Sequence, residues 1–169
     1  MLRSLRLGLI LAIFCILSAG SLAFVYLLTA PRIEINAKLN FKNSLSEVLT
    51  AADSFHQLKD NVYEGMRGKE RVGMAVAVSP RGYSGPISML IGIDREGKVV
   101  GITILNQRET PGLGANIVKA SFLNQFKGKS LQDQIEPKKD IDAITGATIS
   151  SRGVCSGVKQ ALQSAPGEK

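Results

Sequence analysis

The chain has 169 residues, 44% of them apolar, with two cysteines, one histidine and a formal net charge of +7. That length allows one domain with an appendage. The charge does not mark a nucleic-acid binder: Arg3 and Arg6 precede an apolar segment, Arg32, Lys38 and Lys42 follow it, and the other cations are mixed with acids, without a basic stripe or interleaved aromatics.

The first predicted element runs from Leu7 to Ala30, 24 residues without a charge, closed by Pro31 and Arg32. As a helix it spans about 36 Å, enough to cross a hydrocarbon core of about 30 Å. A cleavable signal peptide competes with this reading, since Ser21-Leu22-Ala23 suits a signal peptidase. The apolar stretch is longer than such peptides use and runs past that point, which favours an uncleaved anchor. Positive charge ahead of it keeps the N-terminus in the cytoplasm and places the rest outside the inner (cytoplasmic) membrane.

Phe41, Leu45, Val48, Ala52 and Phe55 then recur at steps of four and three, predicting a stalk helix over about 39–58 with one apolar stripe. The stripe packs either on the domain's own core or on a partner subunit. Residues 61–69, with Gly65 and Gly68, read as a connector. Strands are expected over 72–78, 87–93 and 99–105, the last two forming an antiparallel hairpin through Asp94-Arg95-Glu96-Gly97-Lys98. A helix is expected over 115–126, then a loop or short strand over 138–144. The boundaries are therefore 1–31 for the cytoplasmic N-terminus and transmembrane helix, 32–69 for stalk helix and connector, 70–165 for a domain, and 166–169 for a tail. The fold class is α+β, a small antiparallel sheet packed by helices.

The last helix opens on a run of small and hydroxyl residues, Asp142-Ala143-Ile144-Thr145-Gly146-Ala147-Thr148-Ile149-Ser150-Ser151, ahead of an apolar stripe of Val154, Val158, Ala161 and Leu162. Ser150 or Ser151 can cap the helix, which puts Thr148 just ahead of its N-terminus, where unpaired N–H groups and the helix dipole favour a phosphate. Taken alone, the pattern also fits a simple cap. Cys15 lies in the membrane span and Cys155 is alone in the domain, so no disulfide forms there. Cys155 reads as a small buried hydrophobe and His56 as an exposed helix residue. With no second histidine and no cysteine near His56, no metal site is expected.

Upstream of the Thr148 segment lie Gly82-Tyr83-Ser84-Gly85-Pro86-Ile87 and, after two expected strands, Arg108-Glu109-Thr110-Pro111-Gly112-Leu113-Gly114. In this order the three segments resemble the FMN-binding domain of the G subunit of Rnf-type electron-transport complexes. The C subunit of the sodium-translocating NADH:quinone reductase is a close relative and the alternative assignment. The likeness covers about residues 70–163 together with the N-terminal anchor. It implies that a flavin transferase joins FMN through its phosphate to the hydroxyl of Thr148. It also implies that the subunit relays electrons between ferredoxin and NAD in a membrane complex coupled to ion movement. Its partners are then the membrane, the other membrane and peripheral subunits, and the transferase during maturation.

The same resemblance lays the 109–114 loop over the flavin. Leu113 supplies contact area, Thr110 a hydrogen bond, Gly112 and Gly114 close backbone approach, and Glu109 belongs to the same site. Thr145, Ser150 and Ser151 are further donors to the phosphate, with Gly146 and Ala147 beside it. Tyr83 and Ser84 are candidates for the flavin's surroundings, and Asp142 for recognition by the transferase or for shaping the turn. Gln107 stands where the family often has histidine, and Phe122 where it often has tryptophan. Because the flavin carries the chemistry, no catalytic acid, base or nucleophile is expected in the chain, and it is not expected to catalyse a reaction alone. A cofactor-free interaction module of the same fold is the competing class.

Overall fold

The computed structural model describes residues 2–165; the tail expected at 166–169 lies outside the described residues. The chain forms two compact units, one ending at Asn40 and one beginning at Phe41. The first is helical throughout its described residues, as the larger part of α1 (Leu2–Val48). Its apolar side chains, among them Leu9, Phe14, Leu22 and Leu28, are exposed, and the most apolar window is not buried by the protein at all. The helix is long and apolar enough to cross a membrane. Pro31 lies inside the helix instead of closing it. A proline removes one backbone hydrogen bond, yet the turns beyond it continue, and Glu34 and Lys38 form an ion pair of 2.7 Å one turn apart.

The second unit is built on a five-stranded antiparallel sheet whose spatial order follows the chain: β1 (Ser54–Lys59), β2 (Val62–Arg67), β3 (Glu70–Val78), β4 (Ser88–Asp94) and β5 (Val99–Asn106). The period-two alternation of strands gives it two apolar faces. Met74, Val76, Met89, Ile91 and Ile93 point to one face and meet Val154, Cys155, Val158, Ala161 and Leu162 of the last helix. Ala75 and Leu90 point to the other, where Leu45, Val48 and Leu49 cover them. Strand β4 is buried on both sides, which is why its sequence is an almost unbroken apolar run.

The three strands expected between 72 and 105 are present, and the β4–β5 hairpin turns where Asp94 Oδ1 accepts the N–H groups of Glu96 and Lys98, both at 2.9 Å. The stalk helix is shorter than expected. It ends at Val48, and residues 54–59 and 61–69 contribute β1, β2 and the turn to β3 in place of a helix and a connector. Only the first part of the stripe is helical: Phe41, Leu45 and Val48 lie on α1, whereas Ala52 comes from a turn and Phe55 from a strand, and all reach one cluster with Leu49. The stripe thus packs on the domain's own sheet. His56 is exposed, as expected, but on edge strand β1.

The helix expected over 115–126 is broken into a 3₁₀ turn (Gly114–Val118), α2 (Ala120–Leu123) and a second 3₁₀ turn (Asn124–Phe126). The break falls at Lys119, whose ψ of 136° is extended. These short pieces bring Ile117, Phe122 and Phe126 into the core, where the two phenylalanine rings meet edge to face at 5.5 Å.

Residues 135–141 form a tight loop with a parallel bridge between Pro137 and Ile141. Ile135 is buried with φ of 46°, a conformation that β-branched side chains resist. The Asp140 carboxylate holds it there by accepting the N–H groups of Ile135 (2.9 Å) and Glu136 (2.8 Å), and it pairs with Lys129 at 3.0 Å. Burial pushes its pKa up, but the Glu136 N–H, the Lys129 ammonium and the Ile135 N–H outweigh that and hold it down at about 2. The stability this group contributes is complete above the unfolded pKa near 4 and lost as pH falls from about 4 to about 2. Asp140→Asn should therefore cost about 1 kcal/mol at pH 7, allowing for partial exposure, and the wild-type advantage should shrink steadily in urea melts between pH 4 and pH 2.

The last helix, α3 (Thr148–Ser164), packs Cys155 into the core. Burial first, and then the charge of Asp140, push the Cys155 thiol from its ordinary value near 9 up to about 12. Alkylation of Cys155 at pH 8 should run more than tenfold slower in the folded protein than in urea, read by mass mapping of its peptide.

Candidate functional site

Helix α3 begins at Thr148 itself, after Ala147 in a non-helical conformation, and no side chain caps it. Thr148 is thus the first residue of the helix and not the residue ahead of it, and neither Ser150 nor Ser151 is the cap. Ser151 is fully buried. Its hydroxyl donates to the Ala147 carbonyl at 3.0 Å and accepts the Ile144 N–H at 3.1 Å, tying down the turn that leads into the helix. Gly146 makes that turn with φ of 76°, and an added Cβ would stand 3.1 Å from Leu113 Cδ2. The N–H groups of Thr148, Ile149 and Ser150, in the first turn, have no intrahelical acceptor and point along the axis toward the start of the helix.

The loop after β5 turns back on itself. Thr110 O accepts the N–H groups of Leu113 (3.2 Å) and Ala115 (3.1 Å), and Asn116 Nδ2 donates to Gly112 O at 2.9 Å. Gly114 lies where this loop meets α3: a Cβ there would stand 2.6 Å from Ser150 Oγ and 2.7 Å from Glu109 Oε2. The two segments are joined by a bond between residues 41 positions apart, Ser150 Oγ donating to Glu109 Oε2 at 2.5 Å. Glu109 Oε1 accepts the Ser84 N–H at 3.1 Å and so draws in the third segment.

Between them lies a cleft of about 520 Å³ lined by Tyr83, Glu109, Thr110, Leu113, Gly114, Gly146, Ala147, Thr148, Ile149 and Ser150. Nine of these residues are among the thirteen singled out in the sequence. Ser84, Gly112, Thr145 and Ser151 do not line it: Ser84 and Ser151 serve as braces, Gly112 accepts from Asn116, and Thr145 is exposed. Ile149 was missed. The signal was available, since Ile149 is apolar, lies off the helix's core stripe and is 51% exposed.

The lining suits a flat heteroaromatic ring with a polar tail. Tyr83, Leu113 and Ile149 expose apolar surface at the mouth, Thr110 is beside them, and the half-buried Thr148 hydroxyl makes no hydrogen bond among the described residues. The two departures from the family pattern lie elsewhere. Gln107 Oε1 accepts the Glu109 N–H at 2.5 Å, and Phe122 is in the core. Neither lines the cleft. Asp142 is exposed, its backbone clasped on both sides by Gln125, while its carboxylate makes no hydrogen bond among the described residues.

Residues 82–163 match the FMN-binding domain family, and residues 1–48 match the RnfG N-terminal region. A G subunit of the proton-translocating ferredoxin:NAD(+) oxidoreductase complex of Clostridium ljungdahlii is 36% identical, over 90% of this chain and 86% of its own length. The corresponding subunit of the Na(+)-translocating complex of Acetobacterium woodii is 36% identical, over 94% of this chain and 89% of its own. The crystal structure of NqrC from Shewanella oneidensis shares the fold at a TM-score of 0.51 and 21% identity, covering 60% of this chain and 54% of that one. By these relatives, its FMN-binding domain and its N-terminal region, the chain belongs to the RnfG family, the G subunits of ion-translocating oxidoreductase complexes.

Proposed function

We propose that this subunit carries FMN as a phosphoester of Thr148 and serves as an electron relay in an Rnf-type complex that passes electrons between ferredoxin and NAD and couples them to ion translocation. The observation that carries the reading is the position of Thr148: a hydroxyl without a hydrogen bond among the described residues, at the first position of a 17-residue helix and at the wall of a cleft large enough for the flavin ring. First-turn N–H groups and the helix dipole suit the single negative charge of the diester. Leu113, Ile149 and Tyr83 supply contact area, and Thr110 a polar contact to the ring edge. FMN, when bound, supplies one- and two-electron exchange, while the chain's residues position it and keep it from diffusing away.

The N-terminal helix anchors the domain. Arg3 and Arg6 hold the N-terminus in the cytoplasm, so the cleft faces the extracytoplasmic side, where the other subunits of the complex meet it. A flavin transferase makes the ester, with the exposed Asp142 within its recognition surface. Two of the relatives bear the names of complexes that move different ions, so similarity does not select the ion. Peptide mass spectrometry of the chain produced together with a flavin transferase tests the reading. A peptide containing residue 148 that gains the mass of FMN less water supports it, and an unmodified peptide removes it in favour of a cofactor-free anchored module.

A further inference from the structure

Among the residues lining the cleft, Glu109 alone carries a charged side chain. It is 4% exposed and forms no ion pair among the described residues; its side-chain partners are the Ser150 hydroxyl and the Ser84 N–H, both donating to it. Ser150 Oγ donates to Oε2 at 2.5 Å and the Ser84 N–H to Oε1 at 3.1 Å, so both carboxylate oxygens serve as acceptors. Gly82 and Gly114 close over the group so tightly that a Cβ at either position would strike it. The carboxylate is thus fixed in place by parts of all three segments that build the cleft.

We infer that Glu109 sets the electron affinity of the bound flavin: its buried negative charge in the cleft wall disfavours the reduced cofactor and lowers its reduction potential. The inference rests on the reading that FMN occupies this cleft. A unit charge in a cleft wall, with no ion pair among the described residues, acts over the length of a flavin ring with an effect on the order of tenfold in the electron-accepting equilibrium. Glu109 touches no reacting atom in this scheme and acts through its field and through the segments it holds. A neutral glutamine preserves both contacts, since its carbonyl oxygen can accept the Ser84 N–H and its amide can donate to Ser150 Oγ.

The experiment compares the full-length wild type and Glu109→Gln, each produced with a flavin transferase, by peptide mass spectrometry and by redox titration with indicator dyes. The expected result, read on the flavin-bearing fraction of each protein, is a potential raised in Glu109→Gln by a tenfold change in the equilibrium, about 59 mV for a one-electron couple. An unchanged or lowered potential in the flavin-bearing fraction of Glu109→Gln overturns the inference and leaves the proposed function standing. A wild type without flavin on Thr148 overturns the proposed function, and the inference with it. Should Glu109→Gln not fold, the reduced-minus-oxidised infrared spectrum of the wild type decides: a displaced carboxylate stretch supports the inference, and a spectrum lacking any carboxylate signal overturns it.

Discussion

Replacing Thr148 by valine should abolish covalent flavin entirely. The substitution keeps the β-branched shape at the half-buried first position of α3 and replaces the hydroxyl by a methyl, so fold and cleft should be retained. On a denaturing gel of chains produced with a flavin transferase, the wild-type band should fluoresce yellow and the Thr148→Val band should be dark. Thr145→Val supplies the control. Thr145 precedes the same Gly-Ala pair but is exposed and outside the cleft, so its band should stay fluorescent. Fluorescence persisting in Thr148→Val would place the attachment elsewhere.

Phe126→Ala should be the most destabilising single truncation near the site's supports, at about 3–5 kcal/mol. Phe126 is fully buried, ends the second 3₁₀ turn and packs its ring against Phe122 in the core under β5 and α3. The surrounding pieces are short and braced by backbone bonds, such as Lys129 N–H to Phe126 O at 3.1 Å, so they have little freedom to close the void. A urea titration should show a lower midpoint with an unchanged slope. A loss below 1 kcal/mol would mean that this layer collapses easily and does not support the loop above it.

Much of this was legible in the chain because the signals were local. Strands β3 to β5 announce themselves by apolar runs and an Asp-Arg-Glu-Gly-Lys turn, and α3 by its stripe. Strands β1 and β2 did not, because residues 41–55 place apolar groups at helical spacing while only Phe55 of β1 is even partly buried. The overlooked cue was turn chemistry. Asp60-Asn61 joins β1 to β2 with Asn61 at φ of 65°, and Gly68-Lys69 joins β2 to β3 with Gly68 at φ of 60°. For the site, the three motifs could be read one by one and from the family they resemble. The Glu109–Ser150 bond could not, because nothing local to either residue encodes a partner 41 positions away. The serines were read as helix caps because hydroxyls at a helix start commonly serve so. Here Ser150 joins α3 to the Glu109 loop, and Ser151 ties down the turn into its own helix.

The sheet's order, with each strand beside its neighbour in sequence, has a kinetic consequence. Each of its hairpins closes a short loop, whereas the cleft requires the segments around Ser84, Glu109 and Ser150 to converge, with a larger loss of chain entropy. The meander is therefore expected to form ahead of the docking of the threonine-bearing helix. Because that helix covers one face of the sheet, its transient undocking would dismantle the cleft and expose Met74, Val76, Met89 and Ile91 together.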